Sequence, residues 1–225
     1  MKFVEYPDSD MLWLGLADTI AGALNGVLVT GARASFAVPG GSTPGPLFDV
    51  LSAISLDWER IDVMLTDERW VPESSPRSNA RLLRERLFTG KAATANFVPY
   101  YTGGDAPDPE LADVAAKVEA LAPLTVVLLG MGEDMHTASL FPGGDNLEKA
   151  LRPGARGLVA MNAPDAGEAR VTLSAEIING AMNKHLVILG AAKRAALERA
   201  QDLGDPMQAP VMAVLDGLTV HWAES

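Results

Sequence analysis

The sequence predicts an α/β fold: one domain, with a mostly parallel open sheet flanked by helices on both faces. Three observations predict it. Short apolar runs end abruptly in glycine, proline or charged residues, as buried strands do. Those runs alternate with stretches of helical periodicity, the pattern of βαβ units. The 225 residues, 48% of them hydrophobic and 21% charged, suffice for one core and exclude a disordered chain.

The elements follow in order. Met11–Val29 has helical Leu/Ala spacing, with Ser9 and Asp10 as candidate caps. Ala34–Val38 is an apolar strand ending in Pro39-Gly40-Gly41, and Thr43–Ile54 is the helix after it, with Pro44 tolerable in the first turn. Ile61–Leu65 is a strand running into Thr66-Asp67-Glu68-Arg69, followed by a helix over Ser78–Phe88. Leu124–Leu129 and Leu186–Leu189 are further strands, the second leading through Gly190 into a helix over Ala191–Ala200. Thr102–Pro109 and Asn162–Gly167 read as loops, neither long enough to divide the chain.

Composition narrows the function. Lys+Arg 18 against Asp+Glu 29 gives a net charge of −11, which repels nucleic acid and anionic membrane. An acidic protein that binds an anion must gather its few cations in one place. With no cysteine, disulfides, thiolate nucleophiles and cysteine metal sites are excluded. The three histidines, His136, His185 and His221, have no metal-binding spacing. The N-terminus has no signal-peptide apolar region, and no apolar run approaches the roughly 18 residues needed to span a bilayer. A cytoplasmic protein is the expectation.

In open α/β sheets ligands bind at the carboxyl ends of the strands, and the unusual residues here sit there. Gly40-Gly41-Ser42-Thr43-Pro44 joins a strand to a helix. Its glycines permit close approach, and its hydroxyls and free N–H groups suit a phosphate; a capped βα turn is the plainer reading. It is neither a Walker loop, lacking the lysine, nor a nucleophile elbow. In Asp67-Glu68-Arg69-Trp70-Val71-Pro72, Arg69 can clamp a phosphate and Asp67 can hold a hydroxyl or orient a base, unless the cluster is an exposed ion-pair network. Arg77, Arg81 and Arg84 form a stripe read as a solvated face. In the Gly130–Gly143 block, His136 beside Asp134 suits general acid–base work, with Asp134 or Asp67 fixing its tautomer. Arg170 precedes Val171-Thr172-Leu173, and Lys193 and Arg194 open the helix after Leu186–Leu189, where a cation at a strand's carboxyl end can meet a phosphate; an ordinary surface cation is the plainer reading, and His185 and His221 are assigned to structure.

Taken together these blocks resemble the 6-phosphogluconolactonase family, whose pattern includes GGSTP, DERxVP followed by SN, GxGxDGHxASLFPG, RVTL and GxxK. Here they stand as Gly40–Pro44, Asp67–Pro72 with Ser78-Asn79, Gly130–Gly143, Arg170–Leu173 and Gly190–Lys193, in the family's order across most of the chain. The resemblance implies a Rossmann-like fold of sugar-phosphate isomerase/deaminase type and hydrolysis of 6-phospho-D-glucono-1,5-lactone without cofactor or metal. It implies catalysis by His136 and Asp67, and binding by Gly40, Gly41, Ser42, Thr43, Arg69, Asp134, Arg170 and Lys193. The expected partner is the small sugar-phosphate lactone, with no nucleic acid or membrane, and the expected state is a monomer or small homo-oligomer. Two alternatives are a glucosamine-6-phosphate deaminase and a non-catalytic sugar-phosphate sensor. The deaminases carry a glutamate five residues after the histidine, where this chain has Phe141, and a sensor normally has an attached DNA-binding module. The family's glycine between Asp and His is Met135 here. If that position needs positive φ, its Cβ costs roughly 1–2 kcal/mol.

Overall fold

The structure, a computed structural model, describes residues 1–107, 111–155, 157–164 and 166–225. The elements run β1 (Lys2–Glu5), α1 (Ser9–Leu28), β2 (Ala34–Val38), α2 (Gly45–Ala53), β3 (Ile61–Leu65), β4 (Asp67–Arg69), α3 (Asn79–Arg86), β5 (Asn96–Phe97) and α4 (Leu111–Ala120). There follow β6 (Val126–Leu129), α5 (Leu147–Leu151), β7 (Leu158–Met161), β8 (Arg170–Leu173), α6 (Ala175–Asn179), β9 (Asn183–Leu189), α7 (Gly190–Leu203) and β10 (Thr219–Ala223). Seven strands form one sheet in the order β1-β10-β9-β6-β2-β3-β5. Every pairing in it is parallel. Every residue of β2, β3 and β6 is buried, so helices and loops cover both faces. One apolar cluster runs from Leu12 to Ala223.

The chain leaves β2 toward β3 on one side, and β6 returns on the other side of β2. That reversal of direction opens a crevice beyond the carboxyl ends of β2 and β6. The glycine-rich loops Pro39–Pro44 and Gly130–Gly132 both begin there.

A second sheet was not legible in the sequence. Strands β4, β8 and β7 form an antiparallel three-stranded sheet. It docks on the end of the main sheet through the Leu173 N–H, which donates to the Thr66 carbonyl at 2.8 Å. Asp67–Arg69 is therefore a strand rather than a loop after β3.

Helix bounds also shift for physical reasons. Asp8, rather than Ser9 or Asp10, caps α1, its carboxylate accepting from the Met11 N–H at 2.8 Å. Helix α2 starts at Gly45 rather than Thr43, with Pro44 at the cap and no side chain capping it. The hydroxyls of Ser42 and Thr43 are thus not spent on capping. Strand β9 begins at Asn183 and α7 extends from Gly190 to Leu203. The Asp108-Pro109 end of the first expected loop, and Asp165 in the second, lie outside the described residues.

Among the described residues one helix, α1, is long and apolar enough to cross a membrane, contrary to the sequence expectation. Its Leu12, Leu16, Ile20 and Leu24 are fully buried in the core. Burying such a side chain contributes roughly 1.5–3 kcal/mol, which accounts for the helix's apolar character.

Two of the histidines are structural, as expected. Tyr6 Oη lies 2.8 Å from His221 Nδ1, and His221 Nε2 lies 3.0 Å from His185 Nδ1. Burial pulls His185 down to about 4. Burial, then the charges of His185 and Lys2, pull His221 to about 3. Both are neutral when folded, whereas in the unfolded chain they take up protons from about pH 6.5 downward. Their contribution is intact above that pH and is lost as the pH falls toward the folded values. From pH 6.5 to pH 5, urea unfolding is expected to show a loss of about 3 kcal/mol, about 1.6 for each histidine, since the unfolded imidazoles are already half protonated at about pH 6.5. The double substitution His185→Gln, His221→Gln is expected to flatten that slope; an equal slope in the variant would assign the acid sensitivity to other groups.

Candidate active site

Six chain segments converge on a cleft of about 230 Å³ at the crevice: the loop after β2, strand β4, the start of α3, the loop after β6, the start of β8, and the junction of β9 with α7. Its walls include Gly40, Gly41, Thr43, Asp67, Arg69, His136, Arg170 and Lys193.

His136 stands on the loop after β6. Its Nδ1 is 2.5 Å from Asp134 Oδ1, and among the described residues its Nε2 takes no hydrogen-bond partner. The pair forms because the backbone reverses between them. Met135 adopts φ 68, the left-handed region that the glycine substitution left in question, and Ala138 follows at φ 49. The strain, roughly 1–2 kcal/mol for each, is tolerated because the turn is tied down. Gly132 N–H donates to His136 O at 2.9 Å, Met135 N–H to Gly132 O at 3.0 Å, and Val211 N–H to Met135 O at 3.1 Å. Gly132 has to be glycine, since an added Cβ would lie 2.2 Å from both Asp134 Oδ1 and His136 Nδ1. Partial burial tends to raise the Asp134 carboxyl, but the hydrogen bond and charge of His136 outweigh it and hold it below the usual carboxylate range. Asp134 is therefore ionised and fixes the imidazole tautomer. Asp134 is not among the residues lining the cleft, and its contact with the site runs through the Nδ1 side of the imidazole.

The cations gather at the small sheet. Arg69 and Arg170 are directly opposed in register on β4 and β8. Like charges so placed repel each other. Arg69 Nη1 donates to Arg77 O at 2.6 Å, and Arg170 Nη2 to Ala166 O at 2.9 Å. The Nε of each is buried and has no partner among the described residues. Burial, then the charge of Arg69, pull Arg170 below the ordinary arginine value. An anion bound at the cleft beside them would offset the repulsion between the two guanidinium groups. Lys193, on the first turn of α7, donates to Met131 O at 2.6 Å and faces the same cleft.

Asp67 is buried at the cleft wall, where Ser139 Oγ donates to its Oδ2 at 2.6 Å and Thr66 Oγ1 to its Oδ1 at 3.3 Å. It makes no bond to His136, so of the two candidates only Asp134 is hydrogen-bonded to the ring. Its neighbour Glu68 does not enter the site. It is buried and accepts from the N–H groups of Arg69, Asn79 and Ala80 and from the Ser78 hydroxyl, anchoring the start of α3. Burial nonetheless leaves it above the usual glutamate value, because desolvation outweighs those four bonds.

Of the glycine loop, Gly40, Gly41 and Thr43 line the cleft, whereas Ser42 is exposed and outside its lining. Gly40 is required by Asn79, whose side-chain oxygen would lie 1.8 Å from an added Cβ. Asn79 also donates to the Asp67 carbonyl at 2.8 Å, and with Phe141 it lines the cleft unforeseen as a site residue. The Phe141 ring packs 4.6 Å from that of His136 and lies 5.7 Å from the Arg170 guanidinium carbon. The arginine stripe behaves as a solvated face: Arg77 pairs with Glu168, Arg81 with Glu85 and Arg84 with Glu73.

Comparison with known proteins places the chain among its relatives. The family model described as glucosamine-6-phosphate isomerases/6-phosphogluconolactonase matches residues 7–222. A 6-phosphogluconolactonase of Rhizobium meliloti (strain 1021) is 41% identical over 92% of this chain and 92% of its own. One of Mesorhizobium japonicum is 40% identical over 97% of this chain and 93% of its own. A crystal structure of a 6-phosphogluconolactonase from Shewanella baltica OS155 superposes with a TM-score of 0.94 at 34% identity, covering 99% of this chain and 97% of that one. A monomeric glucosamine-6-phosphate deaminase shares the fold, with a TM-score of 0.80 at 18% identity. The chain belongs to the glucosamine-6-phosphate isomerase/6-phosphogluconolactonase family.

Proposed function

We propose that this protein hydrolyses 6-phospho-D-glucono-1,5-lactone to 6-phospho-D-gluconate, with His136 as general base. One observation carries the reading. A single cleft holds an imidazole with a free Nε2 on one wall and two opposed, incompletely paired arginines on another. The arginines and Lys193 grip the phosphate, with Gly40, Gly41 and Thr43 beside them. That grip fixes the lactone carbonyl against His136 and converts remote binding into orientation.

The steps balance as follows. His136 Nε2 takes a proton from water as its oxygen attacks C1. Asp134 holds the Nδ1 proton and stabilises the imidazolium. Cations and backbone N–H groups near Gly40-Gly41 receive the charge that develops on the carbonyl oxygen. The tetrahedral intermediate collapses, the bond from C1 to the ring oxygen breaks, and His136 returns its proton to that oxygen. The Asp67 carboxylate accepts from a sugar hydroxyl near the reacting end. Phe141 packs against His136 at the position where the deaminases carry their glutamate, which favours a lactone over an amino sugar.

The strong net negative charge supports a small-molecule substrate rather than nucleic acid or an anionic membrane. We place the protein in the cytoplasm, as a single domain and as a monomer or small homo-oligomer. Acid release followed by pH-stat tests the activity: hydrolysis well above the spontaneous rate is expected, and a rate equal to background would refute it.

A further inference from the structure

We propose that Ser139 is a positioning residue for this hydrolysis, holding the Asp67 carboxylate in place against the sugar and tying it to the loop that carries His136. The proposal rests on the lactonase reading above and assigns a role that the reaction steps leave empty.

Ser139 is fully buried and is not itself among the residues lining the cleft. Its hydroxyl donates to Asp67 Oδ2 at 2.6 Å, across 72 positions of sequence. Its N–H donates to Thr172 Oγ1 at 3.2 Å. Thr172 is in turn the register partner of Asp67 between β8 and β4. Asp67, Ser139 and Thr172 thus close a ring of contacts joining the two strands to the His136 loop. A buried carboxylate needs donors, and the only other side-chain hydroxyl on Asp67 among the described residues is Thr66, at 3.3 Å. Ser139 therefore makes the shorter of the two bonds and holds Oδ2 of a carboxylate that lines the cleft.

The same bond restrains the loop. Met135 and Ala138 both lie in the left-handed region on either side of His136 and Thr137, a conformation that persists only when neighbours hold it. Ser139 follows directly and is anchored on both its N–H and its hydroxyl.

The test is a double-mutant cycle on the intact protein. Ser139→Ala, and separately Ser139→Cys, which keeps the volume with a weak donor, are expected to lower kcat about ten- to a hundredfold. Binding of inorganic phosphate, measured by calorimetry, is expected to stay unchanged in both, because the arginines are untouched. In an Asp67→Ala background the Ser139 substitutions are expected to cost nothing further. A wild-type kcat in both Ser139 variants would overturn the proposal. So would the same fold-loss with and without Asp67, or a loss of phosphate binding that tracks the loss of rate. Absence of hydrolysis by the wild-type protein would instead strike the lactonase reading itself.

Discussion

Replacing His136 with asparagine is expected to lower kcat by about 10²–10⁴-fold while KM changes little, the range that general-base assistance contributes. Asparagine keeps a polar group beside Asp134 but has no nitrogen that can take a proton. The ring is 31% exposed and packs on Phe141, so the substitution removes little buried area and Tm is expected to move by only a few degrees. A phosphorylated lactone still binds, because the cations lie elsewhere in the cleft. A variant with near-wild-type kcat would remove His136 from the chemistry.

Arg170→Gln is expected to act on the other half of the site. It should lower kcat/KM for the phosphorylated lactone by about 10²-fold or more, the consequence of losing a charged partner in a desolvated contact. The rate on the same lactone without its phosphate should hardly change, because that substrate never used the contact. Folding should suffer little, since the substitution relieves the repulsion between Arg69 and Arg170 across β4 and β8. Steady-state kinetics on the two lactones separate these effects. An equal loss on both would mean that Arg170 serves the reacting end or the fold rather than the phosphate.

The parts of the fold readable in the sequence were those built from local pattern. Strands β2 and β3 have the predicted bounds because continuous apolar runs such as ASFAV and IDVML are buried on both faces and stop at turn residues or charges. The small sheet was missed because its signal is short and atypical. Leu158–Met161 and Arg170–Leu173 are four-residue strands with every residue buried, so neither shows alternation, and one begins with arginine. Antiparallel pairing across that sheet is what sets Arg69 against Arg170, and no spacing along the chain reports it.

At the site, local chemistry was again the more legible. His136 and Asp134 are two residues apart, and the left-handed Met135 between them turns both toward one point. Of the two carboxylates that the sequence offered as partners of the ring, Asp134 and Asp67, the nearer in sequence is the one hydrogen-bonded to it. The spacing did not reveal that Asp134 stays outside the cleft lining. Ser42 and Thr43 are adjacent hydroxyls, and only the path of the turn into α2 decides which one faces the cleft. The contacts of Glu68 with the start of α3, of Asn79 with Gly40 and of Ser139 with Asp67 all join distant segments. They depend on tertiary packing, for which a single sequence carries no periodic signal.

A crystal structure with bound 6-phosphogluconate tests the division of the cleft most directly. The phosphate is expected against Arg170 and Lys193, with the C1 carboxylate within hydrogen-bonding distance of His136 Nε2. A product bound with its carboxylate among the arginines and its phosphate beside His136, or bound outside the cleft altogether, would contradict it.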